Sequence, residues 1–300
     1  MIATSLASGM DSLWVVRARS SVIGPRMRAF FLPLFKADGD QRKGLSMMRV
    51  IVIALIGCLA SLFASAQEYE IRSEFAYCKL NEGKTMADVV AQSETYGRFS
   101  ASVGTQYQQA IMRPMHAGDA SGYDYIIWGQ WPSGEQMYKE WGSFVNDYRA
   151  WRESHGIETE PAGTCNMSIA MFNTSTAHNR IPAAERDEWQ PFQFSWCRLK
   201  EGKSLADVIA AQAANEALMV SSGFVGWGTH VFTPYLGFDA DWGYDFVQMN
   251  HWYNFQTRGH MADNWLAFLS EHPAVAQANE ANAQCEADRS FYVKSVFSNY

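Results

Sequence analysis

An internal repeat constrains this chain more than any other feature. Residues 75–91 read FAYCKLNEGKTMADVVA, and residues 194–210 read FSWCRLKEGKSLADVIA. Aligning 74–91 with 193–210 gives ten identities in eighteen positions, at an offset of 119. Further on, GYDYIIWGQW (122–131) matches GYDFVQMNHW (243–252) at an offset of 121, and Cys285 follows Cys165 by 120. An offset held within two residues over three separated blocks marks a duplication. A period near 120 is too long for a solenoid and suits a small domain written twice.

Each copy shows the same order of elements. In the first, Glu74–Leu80 alternates aromatic and small residues and reads as a strand. Thr85 is placed to cap a helix, with Asp88 three residues on as its acidic partner. Met86, Val89 and Val90 give that helix an apolar face. Gln106–Met115, Tyr123–Trp131 and Thr164–Phe172 read as three more strands, and Glu135–Glu153 as a second helix. The second copy repeats this with strands near 192–199, 227–235, 243–252 and 285–297, and helices near 204–221 and 257–270. The order is β-α-β-β-α-β, the ferredoxin-like unit. The expected fold class is therefore α+β, with units at 67–175 and 191–300 and a polar linker at 176–190. One face of each sheet is aromatic and needs cover. Two copies can supply it by pairing sheet to sheet as a pseudo-dimeric barrel.

Four cysteines fall inside the repeats. Cys78 lies late in strand one and Cys165 early in strand four, ends that meet when those strands run antiparallel. Cys197 and Cys285 stand in the same relation. The expected disulfides are Cys78–Cys165 and Cys197–Cys285, in keeping with an even cysteine count in an exported chain.

Export is read from residues 47–66, MMRVIVIALIGCLASLFASA. A basic residue, a short apolar run and an Ala-Ser-Ala ending form a signal peptide with cleavage near Ala66. The run is too short to cross a bilayer comfortably. A lipoprotein anchored at Cys58 ranks below this, because the apolar run continues past that cysteine. Residues 1–46 precede a complete signal and read as an over-extended gene start without structure. The expected location is the periplasm or the exterior, with membrane contact only through the signal segment. Residues 67–300 carry 16 basic and 28 acidic side chains, a net of −12. Such a surface is ill suited to nucleic acid.

The stretches YDYIIWGQWPSGEQMYKEW and YDFVQMNHWYNFQTRGHMADNW each give a strand ending in Trp, a short break and an amphipathic helix. They resemble the dimeric α+β barrel superfamily, which includes antibiotic-biosynthesis monooxygenase-like, NIPSNAP-like and EthD-like families. By element order the resemblance spans nearly all of 70–300. It implies two ferredoxin-like units around a central cavity. The superfamily holds cofactor-free monooxygenases, haem enzymes and proteins without known activity, so it assigns no chemistry by itself.

Side chains alternate along a strand. Phe75, Tyr77 and Lys79 share one face, and Phe194, Trp196 and Arg198 match them in the second copy. These six are the expected lining of an interior site for a small aromatic or acidic molecule. For Lys79 and Arg198 the alternative is a strand end turned to water. His251, in strand three, and His260, where many monooxygenase-like members carry a histidine, are the candidates for proton transfer. No cofactor or metal centre is expected; haem stays open. Asp124 and Asp245 recur before strand three and read as turn residues. Two functions follow: a ligand-binding protein or cofactor-independent enzyme, or a non-catalytic envelope protein whose barrel is a filled core. An interior without a cavity larger than a few waters points to the filled core.

Overall fold

The computed structural model describes residues 71–118, 122–157 and 160–299. The expected gene start and signal segment lie outside the described residues. The first repeat contains β1 (Ile71–Leu80), α1 (Met86–Ser102), β2 (Gln108–His116), β3 (Tyr125–Trp131), α2 (Gly134–Asn146), α3 (Tyr148–Ser154) and β4 (Gly163–Asn179). The second contains β5 (Gln190–Leu199), α4 (Leu205–Ser221), β6 (Trp227–Leu236), β7 (Phe246–Trp252), α5 (Phe255–Glu271), α6 (Pro273–Asn282), β8 (Ala283–Cys285) and β9 (Arg289–Ser298).

Within the first repeat the strand order is β4-β1-β3-β2, and the second repeats it as β9-β5-β7-β6. The repeats then exchange edges. β4 pairs antiparallel with β6, and β2 with β9. Eight antiparallel strands close on themselves, which leaves no long edge to protect. This is the dimeric α+β barrel, with both units in one chain. The alternation of β1 carries through: Phe75 and Tyr77 enter the interior cluster, while Ala76, Cys78 and Leu80 pack outward under the first repeat's helices.

Local signals hold in detail. Thr85 and Asp88 form a reciprocal capping box at α1, and Ser204 and Asp207 repeat it at α4. Asp124 accepts from the Leu80 amide at 2.8 Å and gives its own N–H to the Cys78 carbonyl. Asp245 does the same for Leu199 and Cys197. The recurring aspartates thus tie the end of strand one to the start of strand three.

Four elements differ from expectation, and one of them is the strand expected near 285–297, which is split into β8 and β9 by a break at residues 286–288. The helix expected over Glu135–Glu153 breaks at Asp147. The break turns Tyr148 and Trp151 back onto Phe99, with ring centroids 5.0 and 5.6 Å away. α6 was not expected; Pro273 opens it, a residue suited to a first helical turn, and Val275 is buried. β4 continues to Asn179 rather than ending near Phe172, so the first residues of the expected linker are strand. The extra length is what pairs with β6.

Both disulfides are present as expected. Cys78 lies opposite Cys165 and Cys197 opposite Cys285 in antiparallel register, and each pair is bonded. Two such bonds mark an oxidising compartment. No helix among the described residues is long and apolar enough to cross a membrane.

Candidate functional site

The barrel interior is filled. Phe75, Trp128, Phe192, Phe194, Phe232 and Phe291 meet there with Met112, Met171 and Met249. Phe75 stacks on Trp128 at 5.5 Å and meets Phe232 edge-on at 5.5 Å. The gap left beside Phe75, Tyr77, Phe194 and Trp196 is about 20 Å³, room for about one water molecule. Of the six expected ligand-binding residues, Phe75 and Phe194 are therefore core, and Tyr77 and Trp196 are half-buried against it. Tyr77 is enclosed against Tyr123, and burial pushes its phenol far above the usual range.

Lys79 and Arg198 do not reach this interior. Both are exposed at the ends of β1 and β5. Arg198 donates to the Gly243 carbonyl at 2.5 Å and lies over the Tyr244 ring. A different cation, Arg289, sits 4.3 Å above the Trp196 ring. Solvation explains the correction: a strand end offers a charged head water at no cost, and the packed interior does not.

A larger cavity lies outside the barrel wall, beneath the helices of the second repeat. Its volume is about 410 Å³, and it is open to solvent on one side. Trp227, Trp252, Trp265, Met219 and Met261 form its apolar walls, and Gln193, Gln212, Asn215, Gln248 and Asn250 its polar ones. The amides are ordered by one another: Gln212 donates to Gln248 at 2.9 Å and accepts from Thr176 at 2.7 Å, and Thr229 donates to Asn250 at 3.0 Å. Arg258, over the Trp252 ring at 4.5 Å, and Asp288, which accepts from Ser195, add charge to the lining.

Among the described residues, the corresponding place in the first repeat is packed with rings, for a reason visible residue by residue. Tyr96 stands where the second repeat has Asn215, and Gly129 where it has Asn250. Gly129 lets Tyr107 lie flat on the strand; a Cβ there would come within 2.7 Å of the Tyr107 hydroxyl oxygen. Tyr96 and Tyr107 then close on each other at 5.7 Å, and Tyr107 stacks on Trp131 at 4.8 Å. In the second repeat Trp227 holds the place of Tyr107, Asn250 sets a side chain where Gly129 has none, and Asn215 shortens the side chain opposite. Sequence reasoning missed this cavity. The signal lies in the positions where the repeats disagree, Tyr96 against Asn215 and Gly129 against Asn250.

His260 is exposed on α5 and hydrogen-bonds Asn264 at 3.3 Å. His251 is buried on β7 and faces the interior, stacked on Phe192 at 5.0 Å. Beside it lie His178 of β4 and His230 of β6, with ring centroids 5.3–6.0 Å apart. Burial and the neighbouring imidazoles push the His230 pKa down to about 3, and that of His251 well below the usual range. Both rings are therefore neutral at pH 7. The Tyr253 hydroxyl bonds His178 Nε2 at 2.5 Å. Neither His178 nor His230 was singled out from the sequence: His178 lies 73 residues before His251 and only the pairing of β4 with β6 brings it there, while His230 reaches it across the β6–β7 pairing.

No protein-family model and no curated protein matches the sequence. Solved structures share the architecture at low similarity. A protein from Fusobacterium nucleatum named as a monooxygenase is similar over 78% of this chain and 96% of its own, at 7% identity and a TM-score of 0.45. A mutant chlorite dismutase from Candidatus Nitrospira defluvii is similar over 77% and 94%, at 6% identity and 0.43. An anthrone oxidase-like protein is similar over 78% and 96%, at 11% identity and 0.42. At these values the fold assignment rests on the strand order and barrel closure described above.

Proposed function

We propose that this is an exported protein, released to the periplasm or exterior by cleavage near Ala66, that binds a small organic molecule beneath the helices of its second repeat. The observation that carries the reading is the 410 Å³ cavity walled by three tryptophans and a row of ordered amides. Apolar walls with a few fixed polar groups are the usual make-up of a small-molecule site. Flat aromatic walls suit a planar ligand. The amides suit hydroxyl or carbonyl groups on it, and Arg258 an acidic one. The filled barrel interior fits the non-catalytic alternative as far as the interior goes; the cavity outside the wall moves ligand binding to another place.

Haem does not fit this cavity. Its iron needs an axial side chain such as histidine. His251, the one histidine along the lining, turns its ring inward onto Phe192. The purified protein is expected to be colourless, and an intense visible band would overturn this point. Nor does the lining present a pair of proton-transfer groups, so the reading assigns binding and no reaction.

Native mass spectrometry of the oxidised, exported chain is expected to show a retained organic ligand. Anilinonaphthalene sulfonate serves as a probe of affinity. Asn215→Tyr imports the residue of the first repeat and fills the cavity. It should weaken probe binding at least tenfold, about 1.4 kcal/mol. The exposed pair Lys79→Ala, Arg198→Ala should leave affinity unchanged. The reverse pattern would return the site to the strand ends and sink the proposal.

A further inference from the structure

We propose that His178, His230 and His251 form a site for a divalent transition metal of the zinc class. Each offers one ring nitrogen, and the three lie within 4.8 Å of one another. Three strands of the barrel wall, β4, β6 and β7, fix the three backbones. The cluster lies on the inner side of the barrel wall, and Gly228 and His251 also border the cavity beneath the helices.

The surroundings support ligation rather than simple core packing. The Nδ1 atoms of His230 and His251 are buried with no hydrogen-bond partner among the described residues. A buried polar nitrogen left in that state is costly and calls for an explanation. Tyr253 holds His178 through Nε2, the kind of outer contact that orients a metal-bound imidazole. Gly228 lies against the cluster: a Cβ there would come within 2.7 Å of His178 Nδ1 and 2.4 Å of the His251 ring. The absence of a side chain at 228 is thus what lets the two rings approach. The first repeat shows the contrast, with Ala110 and Gln130 in the places of His230 and His251.

Imidazole nitrogens suit zinc, copper, nickel and cobalt, and three protein ligands leave a position open for water or an anion. Nitrogens 2.0–2.1 Å from one tetrahedral ion stand about 3.4 Å apart. The rings must therefore close by up to about 1.4 Å on binding. Arg186 lies over the Tyr253 ring at 4.6 Å and helps to fix it beside His178.

The test uses the oxidised chain without a polyhistidine tag, stripped with a chelator and then dialysed against Zn²⁺ or Co²⁺. The expected result is about one ion retained per chain, with the visible d–d bands of a four- or five-coordinate ion in the cobalt form. His230→Ala and His251→Gln, which import the residues of the first repeat, should weaken binding at least a hundredfold. Tyr253→Phe should weaken it about tenfold and keeps the measurement available if the histidine variants do not fold. No retained ion in the wild-type chain overturns the proposal. So does equal retention by folded variants, which would mean adventitious surface binding.

Discussion

Replacing Cys197 and Cys285 together by alanine is expected to lower the free energy of unfolding by about 4.5 kcal/mol. The bond joins residues 88 apart in sequence. In the chain-entropy account, a closed loop of that length removes about this much disorder from the unfolded chain. Folded-state packing adds little, because alanine keeps most of the buried volume. The equivalent change at Cys78 and Cys165, 87 apart, should cost a similar amount. Denaturant unfolding of each double variant checks the value, and a loss below about 1 kcal/mol would contradict the entropic account. The second expectation is that reductant acts as both variants combined, since the two loops do not overlap.

Phe232→Ala is expected to cost about 3–5 kcal/mol, the range for emptying a buried phenylalanine site. Phe232 is fully buried on β6. Its ring lies 5.5 Å from Phe75, 6.0 Å from Trp128 and 6.4 Å from Phe194. Those neighbours come from both repeats, so no single unit can collapse to fill the gap. The space should join the 20 Å³ already beside Phe75 and Tyr77. A dry apolar pocket of this kind takes up small aromatic molecules. Benzene should therefore recover part of the lost stability in the variant and none in the wild type. Stability unchanged within about 1 kcal/mol would show that the interior is not close-packed.

The fold was legible because its signals are local or repeated. Capping residues, alternating strands and two cysteine pairs appear in the sequence at fixed spacing, and the duplication supplies each reading twice. The boundaries that differed depend on distant partners: β4 runs to Asn179 because β6 is there to pair with it. The site was less legible for the same reason. Phe75, Tyr77, Phe194 and Trp196 do face inward as alternation requires, but alternation does not say whether the space they face is open. That depends on how rings from both repeats interlock. The positions that open the cavity and gather the histidines are substitutions between the copies: Tyr96 against Asn215, Gly129 against Asn250, Ala110 against His230, Gln130 against His251. Reading the repeats for likeness finds the scaffold; reading them for disagreement finds the sites.

The exchange of strand edges between the repeats carries one more consequence. A barrel made of two identical chains around a twofold axis must take every substitution in pairs. An asparagine that opens space on one side would open it on the other, and a histidine set against the axis would face its own image. Here β4 pairs with β6 of the second repeat before the chain passes through residues 180–189 to β5, and each half is a separate stretch of one polypeptide. A change at position 250 happens once. One half can keep a solid aromatic wedge and carry the load of stability, while the other gives up packing for an opening.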